Sequence, residues 1–328
     1  AEIVHPNMSY VGVFSRLDST GKVRNLGVEN CSISGGQGVG GLAGASLGTV
    51  ADCYVTGDIL GGRITGGLIG YGRAATVCDC YTVATVTSIL GEAGGLFAIL
   101  ESGSVSRCHA LESVDAFSGP RSGGLIGDMV NGTTTDCYAT GDVFGGTDLG
   151  GLMVKSGVDA TITRCYASGA VSGNENIGGL IGNSAGAVTG CFWDITVGGP
   201  DNGVGIGLPT AAMMQQATFE AVGWDFTDMD GNDAVWRIVE GVSYPALLMS
   251  VPVSSAEGLQ QITATPDGRY FLTRDIDASG FSGESKSSGL GFLPLCSAAS
   301  PFTGTLDGRG NRITGLYINR PAMDQVGL

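Results

Sequence analysis

The 328 residues include 31 acidic and 16 basic side chains, for a net charge of −15. Capture of nucleic acid or of an anionic membrane needs a positive field, so neither is expected. Glycine fills 58 of 328 positions, about 18% against a usual share of about 7%, but there are only ten prolines and no recurring Gly-X-Y triplet, which excludes collagen. With 43% hydrophobic and 14% charged residues the chain has too much apolar surface for a disordered acidic segment, and its length predicts about two domains.

The N-terminal AEIVHPNMSY lacks the basic and apolar regions of a signal peptide, and no run of about 18 apolar residues occurs anywhere. The sequence therefore reads as one whose leader has been removed, or as an excerpt, and no membrane insertion is expected. From there a repeat dominates. Gly-Gly-Leu recurs with its leucine at Leu42, Leu68, Leu96, Leu125, Leu152 and Leu180. A cysteine column runs through Cys31, Cys53, Cys80, Cys108, Cys137, Cys165 and Cys191. Six residues after five of these cysteines stands a β-branched residue: Ile59, Val86, Val114, Val143 and Val171.

A period of about 28 is long enough for one coil of a β-solenoid and too short for an independent domain. Segments such as 132–143 (GTTTDCYATGDV) are rich in Thr, Tyr and Val and broken by Gly-Asp, which favours short strands over helices. The expected fold is all-β: a parallel β-helix of about 28 residues per coil with a small capping or linker region. Stacked coils place leucine on leucine, cysteine on cysteine and valine on valine. The paired glycines are expected at corners needing positive φ or close backbone approach.

Nine cysteines is an odd number, so at least one stays unpaired or pairs outside the chain. In-register parallel neighbours point their Cβ atoms the same way, which suits a disulfide poorly. A reduced, buried ladder is expected, with disulfides and metal binding as the alternatives; the Cys78-x-Cys80 pair has no second ligand pair at zinc spacing. Before the cysteines, Asp79 and Arg107, and Asp136 and Arg164, are placed to pair across neighbouring coils.

These residues are similar to the GLUG motif, a Gly-Leu-any-Gly repeat found in tandem in bacterial and archaeal surface proteins, including adhesins and regions attached to immunoglobulin A-cleaving metallopeptidases. The resemblance spans about residues 11–192. Gly41-Leu42-Ala43-Gly44, Gly67-Leu68-Ile69-Gly70, Gly124-Leu125-Ile126-Gly127 and Gly179-Leu180-Ile181-Gly182 fit it fully. Gly95-Leu96-Phe97-Ala98 and Gly151-Leu152-Met153-Val154 lose the last glycine. The resemblance implies an extracellular or cell-surface setting and a structural or adhesive role, without catalysis.

After the coils, Cys191-Phe192-Trp193-Asp194 closes the array and Met213 to Ala221 reads as a short helix. The segments around Trp224 and Trp236 read as a cover for the open strand edge, with stacking on sugar as the alternative. Three regions result: a solenoid over 1–198, a capping or linker module over 199–252, and over 253–328 the start of a following repeat unit or an inter-subunit docking segment.

The two ends match. Ile3, Pro6, Met8, Val11 and Gly12 align with Ile318, Pro321, Met323, Val326 and Gly327, an offset of 315. The chain reads as one period of something continued end to end by further copies of itself, as one tandem polypeptide or as docked subunits, or else as an excerpt with an arbitrary boundary.

No catalytic constellation is legible. The chain lacks His-Glu-x-x-His and has two histidines, His5 and His109, the latter expected as a surface or coil-edge substitution where other coils carry tyrosine. No cofactor or metal ligand is expected, and the chain is not expected to be an enzyme. Calcium at turn carboxylates such as Asp58, Asp142, Asp275, Asp277 and Asp307 is the one ion considered. The expected function is an extracellular sheath, filament or stalk; the alternative is an adhesin or spacer contacting surface glycans or host proteins.

Overall fold

The computed structural model describes residues 2–117, 119–226, 234–248, 250–264, 266, 268–279, 291–298, 300–308 and 310–319. The chain divides into two compact units, 1–247 and 248–328. Residues 199–247 thus belong to the same unit as the coils.

The first unit is a parallel β-solenoid of about 7 turns set ~28 residues apart. One coil runs through Ile64–Gly66, Ile69–Cys78 and Tyr81–Ser88, and each of these strands pairs in parallel with its counterpart one coil later. The β-branched column is continuous in register from Ile59 through Val86, Val114 and Val143 to Val171, and it extends back to Ile33 and Ile3.

The leucine column is tied through its backbone. The amides of Leu42, Leu68, Leu96, Leu125 and Leu152 donate to the carbonyls of Leu68, Leu96, Leu125, Leu152 and Leu180 at 2.7–3.0 Å. Every one of these side chains is fully buried. The residue after each leucine forms a second interior column, Ala43, Ile69, Phe97, Ile126, Met153 and Ile181. Burying a side chain of this size stabilises by about 1.5–3 kcal/mol, and each coil repeats the contribution.

Close approach, and not positive φ, explains the paired glycines: none of those preceding the leucines has positive φ. A Cβ on Gly67, Gly95, Gly124 or Gly151 would stand 2.0–2.2 Å from the carbonyl oxygen of the matching glycine one coil on. A left-handed residue instead stands before each column cysteine: Asn30, Asp52, Asp79, Arg107, Asp136, Arg164 and Gly190, all with φ of 47–59°. Asn, Asp and Gly reach this region at least cost.

The array ends where Phe192–Asp194 pairs with Ile206–Leu208. In place of the single helix expected over 213–221 there are two short ones, Thr210–Met213 and Gln216–Glu220, separated by the extended backbone of Gln215. A two-stranded pair, Trp236–Arg237 with Ala246–Leu247, completes the unit.

The second unit has its own core of Val253, Leu259, Ile262, Tyr270, Leu272, Ile276 and Phe292. Its strands are also parallel: Ser250–Val253 with Arg269–Leu272, Arg269–Leu272 with Thr305–Asp307, and Ile276–Asp277 with Ile313–Thr314. Ile318 forms an isolated antiparallel bridge with Gly291; Pro321, Met323, Val326 and Gly327 lie outside the described residues.

The packing sets an unusual ranking of substitutions. Leu125→Ala is expected to lower unfolding free energy by about 2–5 kcal/mol. Gly124→Ala adds one methyl against a carbonyl and should destabilise by at least about 1–3 kcal/mol, although alanine normally stabilises relative to glycine. Urea denaturation of the two variants measures both.

Candidate functional site

Immediately after every column cysteine but Cys31 stands an aromatic ring. Tyr54, Tyr81, His109, Tyr138 and Tyr166 share one register, and their rings stack nearly parallel at centroid separations of 4.7–5.1 Å. His109 is therefore not at a surface or coil edge. It is 8% exposed, between Tyr81 and Tyr138, and its Nδ1 has no hydrogen-bond partner among the described residues. Desolvation pushes its pKa down to about 3.

The residues after the coils cover the flank of this stack. Trp236 is fully buried and Trp224 3% exposed, so both belong to the core and neither offers a face for sugar. Trp236 packs on Tyr138 and Tyr166. Its indole N–H donates to Asp136 Oδ1 at 3.1 Å, and Trp224 donates to the Gly190 carbonyl at 2.9 Å. Tyr166 donates to the Pro245 carbonyl at 2.7 Å. Asp194 accepts from the hydroxyls of Thr210 and Tyr244, both at 2.6 Å. Burial raises its pKa, but these bonds and those from Thr196 outweigh burial and hold it below the usual carboxylate range. The cover reaches Tyr138, Tyr166 and Phe192; Tyr54 and Tyr81, further along the stack, are half-buried.

Both cross-coil ion pairs form two-point contacts. Arg107 donates through Nε and Nη2 to Asp79 at 2.6 and 2.5 Å, and Arg164 likewise to Asp136 at 2.7 and 2.8 Å. Trp236 thus binds an aspartate already held by arginine.

All nine cysteines are unbonded; the seven of the column are buried, while Cys78 and Cys296 are partly exposed. The thiols of Cys53, Cys80, Cys108, Cys137, Cys165 and Cys191 donate to the carbonyl two residues before them at 3.1–3.3 Å. The amides of Cys53, Cys108 and Cys165 donate to the sulfur of the next coil at 3.4 Å. Desolvation pushes the thiols of Cys80, Cys137 and Cys165 well above their ordinary value, which keeps them protonated and unreactive.

A polar row faces outward beside the leucine corner. Arg121 lies 3.3 Å from Glu92, 2.9 Å from Asp128 and 3.4 Å from Asp148, joining carboxylates of three coils. Desolvation raises the pKa of Asp128 above its usual range. Asn176 donates to Asp148 at 2.8 Å. Three carboxylates outnumber the one arginine, so the cluster keeps a net negative charge. Among the described residues no three His, Cys, Asp or Glu side chains are grouped to hold a metal. Of the turn carboxylates, Asp142, Asp275 and Asp277 each accept a backbone amide at 2.8–2.9 Å. His5 is exposed on the first strand, Glu2–Val11.

Residues 35–60 match the family described as the GLUG motif. That stretch is about one coil of the array. Over 78 residues, 24% of its length, the chain is 38% identical to Halomucin of Haloquadratum walsbyi, covering 1% of that protein. Over 126 residues, 38% of this chain, it is 32% identical to a candidate Gly-rich membrane protein of Evansella cellulosilytica, covering 11% of it. The chain therefore spans a small fraction of the relatives it matches. Among solved structures it is similar to a candidate immunoglobulin A1 protease of Bacteroides ovatus, at 19% identity and a TM-score of 0.45, covering 72% of this chain and 74% of that one. Among the described residues no helix is long and apolar enough to cross a membrane.

The stacked rings and buried thiols set two measurable behaviours. The lowered pKa of His109 means that the unfolded chain binds a proton between pH 6.5 and about 3 that the folded chain does not. Stability should therefore fall with pH across that window, by at most about 1.4 kcal/mol per unit. His109→Tyr should flatten that part of the profile in chemical denaturation at pH 7, 5 and 4. Alkylation of the native, unreduced chain followed by mass spectrometry should modify only Cys296 and, more slowly because desolvation pushes it up to about 11, Cys78. Denaturation without reductant should open all nine.

Proposed function

We propose that this chain is a non-catalytic, extracellular structural protein in which solenoid units continue end to end as a cell-surface sheath, filament or stalk. The observation that carries this reading is the first strand. Glu2–Val11 pairs in parallel with Gly27–Gly40, with Ile3 opposite Ile33 and Val11 opposite Val39. It exposes Val4, Met8 and Tyr10, and Ile3, Pro6, Met8, Val11 and Gly12 recur at the same spacing within 317–328. A further array beginning at that second copy would repeat the same pairing. The GLUG repeat and the relatives described as a halomucin and a Gly-rich membrane protein support a cell-surface setting.

The mechanics follow from the fold. Seven coils at a rise of about 4.8 Å give each unit a rod about 34 Å long. Its stiffness comes from continuous backbone ladders, and its flank is closed by the aromatic cover. The second reading, an adhesin or spacer that contacts glycans, is favoured by a groove beside the first strand, lined by Tyr10, Arg16, Tyr71 and Arg73.

The test is a two-unit polypeptide in which residue 317 of one copy is followed directly by residue 3 of the next. Electron microscopy should show one unbroken rod, and hydrogen exchange at residues 3–11 of the second copy should be slower than in the single unit. Two beads on a flexible joint, with exchange unchanged, would discard the end-to-end reading.

A further inference from the structure

We propose that the groove beside the first strand binds an acidic glycan, a pyranose bearing a carboxylate or sulfate. The site lies wholly within the coils, and the proposal does not rest on the end-to-end reading.

The groove is a gap in an outward row. Arg16 pairs with Ala45, and Ala45 with Tyr71, so two inter-coil steps, about 10 Å, separate the strands carrying the two long side chains. Between them Ala45 ends at its Cβ and forms the floor. Leu47, Arg73 and Tyr10 complete a cavity of about 200 Å³. Tyr10 is held at φ 60° and is 46% exposed. Bulky residues seldom occupy that region, and where they do the site is often functional.

The chemistry is cationic and aromatic in a chain of net charge −15. Tyr71 donates its hydroxyl to Glu101 Oε2 at 2.5 Å, and Arg73 Nε lies 3.3 Å from the same oxygen. Glu101 thereby fixes the ring and one side of the guanidinium, leaving the other Arg73 donors turned to solvent; the Arg73 side chain is 65% exposed. Among the described residues no carboxylate lies within ion-pair distance of Arg16. Two guanidinium groups suit carboxylate or sulfate oxygens, and tyrosine faces suit the C–H-bearing face of a sugar ring. An acidic peptide fits less well. Between Arg16 and Tyr71 the strands already pair with each other through Ala43–Ser46, so a peptide lying in the gap itself would find no free backbone edge to extend.

Titration calorimetry of the full chain with trigalacturonate, a κ-carrageenan oligosaccharide, maltotetraose and a short poly-glutamate decides the matter. One or both acidic sugars should bind, and the preferred one tells carboxylate from sulfate; maltotetraose and poly-glutamate should bind at least about tenfold more weakly. Arg16→Ala and Tyr71→Ala should each lose about tenfold or more. The fold should persist in both, because Arg16 is exposed and the row already carries alanine at Ala45. Ala45→Leu, which fills the floor, should abolish binding, and Arg63→Ala, an exposed arginine outside the groove, should leave it unchanged. Equal binding of maltotetraose or poly-glutamate, no binding of either acidic sugar, or groove variants that bind like the parent would overturn the proposal.

Discussion

The hydrogen bonds that join one coil to the next in parallel register are the constraint on which the rest depends. Because each strand pairs with its own counterpart about 28 residues on, every side chain meets the equivalent side chain of the neighbouring coil, and each position becomes a column at a fixed spacing of about 4.8 Å. A buried column favours residues that can stand against themselves. Leucines interlock, and aromatic rings lie flat on one another at about 5 Å. Where backbone meets backbone, as at Gly67, Gly95 and Gly124, the only residue that fits is the one without a Cβ.

The cysteine column answers a difficulty the same constraint creates. A left-handed residue before each cysteine breaks the regular ladder, and the amide that follows lies in a fully buried strip where an unpaired N–H would be costly. Sulfur from the next coil accepts that amide at Cys53, Cys108 and Cys165, while the thiol proton returns to a carbonyl two residues back. A valine of similar size could do neither. Arg107 and Arg164 are the two departures from Asn, Asp and Gly at the left-handed position, and each is held by the aspartate one coil before it.

What repeats at constant spacing was legible in the sequence, and what depends on contacts between unlike segments was not. The leucine, cysteine and β-branched columns repeat in identity, so period and coil stacking follow from counting. The tyrosine column repeats as faithfully, yet its burial is set by residues about a hundred positions away, as in the bond from Trp236 to Asp136. His109 shares that column, stacked between Tyr81 and Tyr138, and its burial was missed with it. The need for left-handed backbone was present as the run of Asn30, Asp52, Asp79 and Asp136, but the two arginines concealed it. In the second unit, partners stand 19 residues apart at Ser250 and Arg269 but 36 apart at Arg269 and Thr305, so no period could announce its parallel strands.

The first and last described coils differ in what they present. At one end, Phe192–Asp194 passes into Ile206–Leu208 and a cluster built on Phe219, Trp224 and Trp236, with Asp194 held by Thr196, Thr210 and Tyr244. At the other, the strand from Glu2 to Val11 presents Val4, Met8 and Tyr10 to solvent. A stack whose outer row varies from coil to coil, as Arg16, Ala45, Tyr71, Ile99, Asp128, Lys155 and Asn183 do, can therefore vary its outward chemistry along its length. The interior columns, which fix the register, are unaffected by that variation.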